Sequence, residues 1–152
     1  SLKLVSILLG GNLSRLFSVQ EALVNRNNDK KNIEHWPVIG TFSDLLNVPN
    51  NQVSVAVAIG HNITRKVKIE TLAKKGYMLP VLIHPTAVIS KYAQIDLGSV
   101  IAANAVINAF SVVGRGCIIN TSAIIEHDCK IDDFTHICPG TSLAGGVNVG
   151  QA

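Results

Sequence analysis

The sequence predicts two structural parts: a small α/β unit of the Rossmann-like type over residues 1–80, and a parallel β-helix built from hexapeptide repeats over residues 81–152. Two observations carry this prediction. The chain repeats with a period of six from Ile83 onward. The residues before Pro80 instead alternate between apolar strand-like segments and helix-like segments, an order typical of a parallel α/β sheet. The change of period places the boundary near Pro80.

The repeat consists of a large aliphatic residue at every sixth position. A helix repeats every 3.6 residues and a strand every two, so neither alone produces this spacing. A solenoid with short strands on its flat sides does, and three hexads (18 residues) then make one triangular coil. We expect the aliphatic residues to fill the interior and a small residue four places later to lie near a corner. The twelve aliphatic residues are Ile83, Ile89, Ile95, Ile101, Ile107, Val113, Ile119, Ile125, Ile131, Ile137, Leu143 and Val149.

The first half of the N-terminal part predicts one strand, one helix and a loop. Residues 3–9 are apolar and predict a buried strand that leads into Gly10 and Gly11. Asn12 or Ser14 is suited to cap a helix over about residues 15–24. Residues 26–35 are polar and predict a loop, with a short extended piece over residues 37–40. A second strand is expected soon after the first helix in a doubly wound domain, and residues 26–36 do not supply one.

The second half of this part predicts a strand between two helices. Thr41 or Ser43 can start a small helix that runs to Leu46. Residues 53–59 are apolar and bounded by Gly60, as expected of a parallel strand. Asn62 is predicted to cap a helix over residues 63–75, with Gly76 as its terminator.

Amino-acid composition and charge limit the kinds of ligand and partner that the chain is expected to bind. Aromatic residues make up 5% of the chain and the net charge is +3. Residues 1–80 hold ten Lys and Arg against five Asp and Glu. This excess either favours a phosphate-bearing ligand or, since the charges form no long run, reflects scattered solvated lysines. No nucleic-acid partner is predicted.

Membrane insertion is not predicted. Residues 97–114 are uncharged over a length that can span a bilayer, but asparagines, serines and glycines interrupt them and the hexad explains their aliphatics. The sequence shows no signal peptide, so a cytoplasmic location is the default expectation. The hexads stop part-way through a repeat at Ala152, with no capping segment, so we expect the chain to be incomplete at its C-terminus and within its first 40 residues.

The three cysteines do not predict a disulfide framework, because their number is odd and no secretory signal accompanies them. Cys117 and Cys129 occupy the small position of the hexad, so we expect them to be buried on different sides of the prism. Cys138 follows a core aliphatic and is expected to face outward.

Four stretches of the chain resemble one family, the bacterial sugar acetyltransferases of the hexapeptide-repeat type, which includes sialic acid O-acetyltransferases and UDP-4-amino-sugar N-acetyltransferases. The resemblance is close over residues 53–150 and holds only in outline over residues 1–52. The stretches are 58–62 (Ala-Ile-Gly-His-Asn) with Arg65 and Lys66, 83–87 (Ile-His-Pro-Thr-Ala), 119–129 (Ile-Asn-Thr-Ser-Ala-Ile-Ile-Glu-His-Asp-Cys), and 134–137 (Phe-Thr-His-Ile) with 139–140 and 144–146.

This resemblance implies a left-handed parallel β-helix and a homotrimer with active sites between neighbouring prisms. It implies acetyl-CoA as the donor and a nucleotide-activated sugar as the acceptor, held by a nucleotide-sugar-binding domain over residues 1–80. The expected reaction is N-acetylation of a UDP-4-amino-4,6-dideoxysugar in bacterial surface-glycan synthesis. The family opens with a Gly-x-x-Gly-His type turn, whereas this chain has only Gly10 and Gly11 there. These two glycines are a weaker form of a turn that offers backbone N–H groups to phosphate.

Acyl transfer to an amine needs a base, a group that orients the base and donors for the oxyanion. His127 is the candidate base, since it lies near a corner from which a side chain reaches outside the prism. Either Asp128 or Glu126 can orient its imidazole, and the resemblance favours Asp128. It also implies that His136 contacts the acetyl end of the donor. Gly145 matches the family position whose backbone N–H serves the oxyanion.

Other polar residues have two interpretations each. His61 either contacts the nucleotide or is exposed or structural. Asn120 and Thr121 either line the cleft, with Asn120 binding substrate, or satisfy backbone amides at a corner. His84 is expected to hold the first turn of the solenoid, and His35 to be exposed or structural.

Three alternative functions stay open at this point. Sialic acid O-acetylation would use the same machinery. A β-helix metalloenzyme of the carbonic anhydrase type would need three converging histidines, for which His127, His136 and His84 are the candidates, although His84 lies more than two coils away. Because the third ligand is lacking, we predict no metal. A scaffold without catalysis would have no use for the Glu-His-Asp run at residues 126–128.

Overall fold

The computed structural model describes residues 3–9, 21–24, 32–33, 36–38 and 40–151. The chain divides into two compact units, residues 1–80 and residues 81–152. The elements of the first unit are β1 (Lys3–Leu9), β2 (Glu21–Val24), β3 (Asn32–Ile33), β4 (Trp36–Pro37), α1 (Phe42–Leu45), β5 (Val53–Ile59) and α2 (Asn62–Lys74).

The first unit contains a parallel three-stranded sheet of order β2-β1-β5. The predicted strands at residues 3–9 and 53–59 are both confirmed, and they pair along their full length. The prediction of a helix over residues 15–24 is wrong at its end, because residues 21–24 form β2 and pair with β1. Residues 10–20, which include Gly10 and Gly11, lie outside the described residues. The Rossmann-like arrangement therefore stays a prediction.

Pairing between strands explains both errors in this unit. As β2, residues 21–24 satisfy backbone groups along the second edge of β1, and such long-range pairing overrides a local helical pattern. The loop predicted over residues 26–35 likewise contains β3, which pairs antiparallel with β4. The second strand of the sheet, β2, thus precedes residues 26–36, where the pattern of a doubly wound domain predicts it.

The two helices predicted in the second half of this unit are confirmed, with one change of cap. Thr41 caps α1 through a capping box with Asp44. His61, not Asn62, caps α2, because its Nδ1 accepts from the Thr64 N–H at 3.3 Å. The α2 helix ends as predicted at Gly76, whose φ of 77° is in the left-handed region. Two bonds that reach back from residues 76 and 77 close this end in a Schellman motif.

The second unit is a parallel β-solenoid of the left-handed β-helix type with four strands on each of three sides. Its first side carries β6 (Leu82–Ile83), β9 (Val100–Ile101), β12 (Ile118–Ile119) and β15 (His136–Ile137). Its second side carries β7 (Val88–Ile89), β10 (Val106–Ile107), β13 (Ile124–Ile125) and β16 (Ser142–Leu143). Its third side carries β8 (Gln94–Ile95), β11 (Val112–Val113), β14 (Lys130–Ile131) and β17 (Asn148–Val149). This confirms the hexapeptide-repeat prediction.

The aliphatic residues of the hexads form the core of this unit. Seven consecutive members, from Ile101 to Ile137, are at most 5% exposed. Ile83 departs from the expectation, since 46% of its surface is exposed. It belongs to the first coil, which has a neighbouring coil of the solenoid on one side only, so stacking covers it incompletely.

The small position of the hexad has a hydrogen-bonding role that the sequence pattern did not reveal. Its polar side chains donate to a backbone carbonyl fifteen residues further along the chain, in the next coil. The buried cysteines follow the same pattern, since their thiols donate to these carbonyls. The pairs are Ser99 with Gly114, Ser111 with Glu126, Cys117 with Asp132, Cys129 with Ala144 and Thr135 with Gly150. Cys138 is exposed, as predicted.

From the second coil onward, the corners adopt a left-handed backbone conformation at every sixth residue. From Gly98 to Gly146 each such residue has φ between 57° and 75°. An ordinary L-residue in this conformation costs roughly 1–2 kcal/mol. Five of the nine corner residues nevertheless have side chains: Asn104, Phe110, Ser122, Asp128 and Phe134.

Within the described residues, no helix has the length and apolar character needed to cross a membrane.

Candidate active site

His127 and Asp128 lie in the turn between β13 and β14, at the corner where the second and third sides meet. His127 Nδ1 is 2.8 Å from Asp128 Oδ2, and the side chains are 63% and 60% exposed. The tautomer that satisfies this contact carries its proton on Nδ1. The lone pair of Nε2 is then directed away from the carboxylate, which is the arrangement of a general base with its orienting acid.

The backbone explains why the carboxylate beside His127 Nδ1 is that of Asp128 rather than that of Glu126. Asp128 occupies the left-handed corner position with φ of 60°, which Asp tolerates better than most residues. Its N–H donates to the Ala109 carbonyl of the preceding coil at 3.0 Å. Glu126 takes part through its backbone carbonyl, which accepts from Ser111 Oγ.

Gly145 lies one coil beyond His127 at the same corner, eighteen residues later in the chain. A Cβ atom at this position would lie 2.7 Å from both Cε1 and Nε2 of the His127 imidazole. The Gly146 N–H donates to the His127 carbonyl at 2.8 Å and links the two coils. The missing side chain at Gly145 therefore leaves space for the imidazole, with Nε2 beside the glycine backbone.

Ser111 holds the turn that carries His127 from the inside, a role that sequence reasoning missed. Ser111 Oγ donates to the Glu126 carbonyl at 2.6 Å and accepts from the Cys129 N–H at 3.2 Å. It is fully buried and thus joins both ends of the four-residue turn. Its signal in the sequence is a serine at the small hexad position one coil before Cys129.

Asn120 and His136 form a second polar group on the first side of the solenoid. Asn120 Oδ1 accepts from the Thr121 N–H at 2.7 Å, which orients the amide. The amide nitrogen then donates to His136 Nε2 at 2.9 Å. This contact requires Nε2 to be unprotonated, so the neutral imidazole carries its proton on Nδ1.

The two groups occupy different parts of one prism. His127, Asp128 and Gly145 lie at the corner between the second and third sides, whereas His136 lies on β15 in the first side. In a triangular prism that corner is opposite the first side. The described part of one chain therefore does not bring all the predicted site residues together.

The remaining predicted residues lie elsewhere or were not described. His61 belongs to the first unit, where its Nδ1 also contacts Thr64 Oγ1 at 2.9 Å. Gly10 and Gly11 fall outside the described residues. His84 Nδ1 accepts from the Thr86 N–H at 3.1 Å and holds the first turn of the solenoid. Among described residues, no group of three or more His, Cys, Asp or Glu side chains is placed to hold a metal ion.

Solved structures similar to this chain include bacterial acetyltransferases. The acetyltransferase domain of PglB from Neisseria gonorrhoeae FA1090, in complex with acetyl coenzyme A, is 38% identical with a TM-score of 0.89. The match covers 97% of this chain and 75% of that one. The chain belongs to the bacterial sugar acetyltransferases of the hexapeptide-repeat type.

Two further structures extend the comparison. A mutant of perosamine N-acetyltransferase from Caulobacter crescentus, in complex with CoA and GDP-perosamine, is 30% identical with a TM-score of 0.88. That match covers 98% of this chain and 74% of the other. WeeI from Acinetobacter baumannii AYE shares the fold at 18% identity, with a TM-score of 0.79 and coverage of 97% and 73%. No protein-family model matches the chain.

Gly145→Ala is expected to lower acetyl transfer by about 10²-fold, because the new Cβ displaces the imidazole of His127 by the order of an ångström. The exposed imidazole can rotate away, so the melting temperature is expected to stay near that of the wild type. Gly150→Ala is the matched control, since its Cβ would meet no atom within 4 Å. Thiol release from acetyl-CoA with an amino-sugar acceptor measures the rate. Equal activities of the two variants would show that a Cβ at residue 145 does not displace the His127 imidazole from its active position.

Two matched serine variants test whether Ser111 supports the turn at His127 or only stabilises the fold. They are Ser111→Ala and Ser99→Ala. Ser99 Oγ makes the same pair of bonds around residues 114–117, where no predicted site residue lies. Each variant leaves a buried carbonyl and N–H unpaired, which costs roughly 1–3 kcal/mol of unfolding free energy. Urea denaturation checks this. Only Ser111→Ala is expected to lower kcat, and Ser111→Cys, which retains a donor, is expected to restore it. Equal kcat values for the two alanine variants would contradict a specific role of Ser111.

Proposed function

We propose that this protein transfers the acetyl group of acetyl-CoA to the amino group of a nucleotide-linked 4-amino-4,6-dideoxysugar, a step in bacterial surface-glycan synthesis. The observation that carries the proposal is the corner at which His127 Nδ1 contacts Asp128 and Nε2 lies beside Gly145. Family membership supports the same reaction, because related structures hold acetyl coenzyme A, or CoA with GDP-perosamine.

In the proposed reaction, His127 Nε2 takes a proton from the acceptor amine as the amine nitrogen attacks the thioester carbonyl carbon. Asp128 stabilises the imidazolium that forms. The backbone N–H of Gly145 is assigned to the oxyanion. The intermediate then collapses, the carbon–sulfur bond breaks, and the imidazolium returns the proton to the leaving thiolate. The products are the N-acetylated sugar and CoA with a free thiol.

Binding of the acceptor is assigned to residues 1–80, which we propose form a Rossmann-like nucleotide-sugar-binding domain. The parallel order β2-β1-β5 is compatible with that fold, and ligands of such sheets bind at the carboxyl ends of the strands. His61 lies in the turn that follows the carboxyl end of β5, and Gly10 and Gly11 follow β1 in the sequence. The excess of basic residues in this half favours a phosphate-bearing acceptor.

The complete site is proposed to form between copies of the chain in a homotrimer. The support is the position of His127 at one corner and of His136 on the opposite side of the same prism. A neighbouring copy that presents its first side to this corner would supply His136, held by Asn120, to the acetyl end of the donor. Acetyl-CoA is a cytoplasmic metabolite, so we assign the reaction to that compartment.

His127→Ala is expected to lower acetyl transfer by about 10²-fold or more, because the acceptor amine loses its general base. The assay is thiol release from acetyl-CoA with UDP-4-amino-4,6-dideoxy-N-acetylglucosamine, GDP-perosamine or sialic acid as the acceptor. His84→Ala serves as the control histidine on the first coil. Release with sialic acid alone would replace the proposal by O-acetylation, and an unchanged rate in His127→Ala would remove the assigned base.

A mixture of two inactive variants is expected to regain activity if the site is shared between copies. When His127→Ala and His136→Ala chains are unfolded, mixed and refolded together, roughly a quarter of the interfaces should pair two intact histidines in a randomly assembled trimer. The double variant mixed with itself is the control. A mixture with no more activity than its separately refolded components would contradict a shared site.

A further inference from the structure

Two exposed aromatic side chains lie on the same corner of the solenoid as His127. Tyr92 and Phe110 are stacked, with ring centroids 5.4 Å apart and an angle of 26° between their planes. They are 55% and 61% exposed. Tyr92, Phe110 and Asp128 follow one another at intervals of eighteen residues, so they hold equivalent positions in three successive coils. We call Tyr92 and Phe110 the aromatic platform.

The backbone at Phe110 is strained for a bulky residue. Its φ of 63° is in the left-handed region, where glycine occupies four of the nine equivalent corners. Phe134 has a similar φ, but its ring is fully buried and packing offsets the cost. The Phe110 ring is mostly exposed and is stacked on Tyr92, so burial among the described residues does not offset the cost as it does at Phe134. Strained backbone conformations of this kind cluster at functional sites.

The platform lies on one side of His127 and Gly145 lies on the other. The Asp128 N–H donates to the carbonyl of Ala109, next to Phe110, at 3.0 Å. The coil with Phe110 therefore directly precedes the coil with His127, and the coil with Gly145 directly follows it. With the thioester at Gly145 and the acceptor amine at His127 Nε2, Phe110 lies on the side of His127 away from the donor.

We propose that the aromatic platform binds the apolar face of the acceptor's sugar ring and thereby sets specificity for deoxygenated amino-sugars. This inference rests on the proposed function. A 4-amino-4,6-dideoxysugar carries a methyl group at C6 where other hexoses carry a hydroxymethyl group, and such apolar surface packs favourably on an aromatic face. Lys91 Nζ lies 4.9 Å from the centre of the Tyr92 ring, so a cation is present beside the platform for the phosphates of the nucleotide.

Phe110→Asn tests the proposal with little risk to the fold, because Asn tolerates the left-handed conformation while the ring is removed. Phe110→Tyr keeps the ring and is the matched control. Steady-state kinetics with UDP-4-amino-4,6-dideoxy-N-acetylglucosamine and with GDP-perosamine give KM for each acceptor and for acetyl-CoA. Light scattering gives the mass of each variant.

For Phe110→Asn we expect KM for both acceptors to rise about tenfold, the effect of one lost aromatic contact. The KM for acetyl-CoA and the mass should not change, and Phe110→Tyr should behave as the wild type. An unchanged acceptor KM would overturn the inference and leave the proposed function intact. A rise in KM for only one of the two acceptors would indicate that the platform contacts the nucleobase. A fall in mass would indicate that it forms a contact between copies of the chain. Either result overturns the inference. A wild type that acetylates neither acceptor contradicts both proposals.

Discussion

Stacking of one coil on the next, at a spacing of eighteen residues, is the constraint on which the rest of the solenoid depends. Each side carries only two strand residues per coil, too few to form a stable strand alone, so parallel pairing with the coils above and below satisfies the backbone. The aliphatic residues stack in register inside the prism, and seven in succession are almost fully buried. Removing one coil would expose the backbone hydrogen-bonding groups and the aliphatic core of the neighbouring coils.

The same stacking positions the candidate active site. Residues eighteen apart lie beside each other at one corner, which brings Gly145 against the His127 imidazole and places Phe110 below Asp128. In the coil between Phe110 and Gly145, the buried hydrogen bonds of Ser111 hold both ends of the turn over residues 126–129. A corner of this kind can present an exposed imidazole in a defined orientation, because the backbone beneath it is held from within and from both adjacent coils.

The geometry of a triangular prism also separates residues that the family resemblance groups together. His127 projects from a corner and His136 lies on the opposite side, where the Asn120 amide fixes its tautomer. Assembly of copies is the proposed means by which they converge. In such an assembly, His127 and His136 of one chain would belong to different active sites.

The amino-acid sequence was enough to predict the solenoid, because a strict six-residue aliphatic repeat can bury its side chains in few other ways. It was also enough to select the candidates His127, Asp128 and Gly145, since family motifs are local in the chain. Features that depend on contacts distant in sequence became known only from the folded structure. The pairing of residues 21–24 with β1 overrode a local helical pattern, His61 replaced Asn62 as the cap of α2, and Ile83 is exposed at the end of the stack. The hydrogen bonds of Ser111 and the opposite placement of His127 and His136 likewise follow from how coils stack and turn, which residue identity alone does not specify.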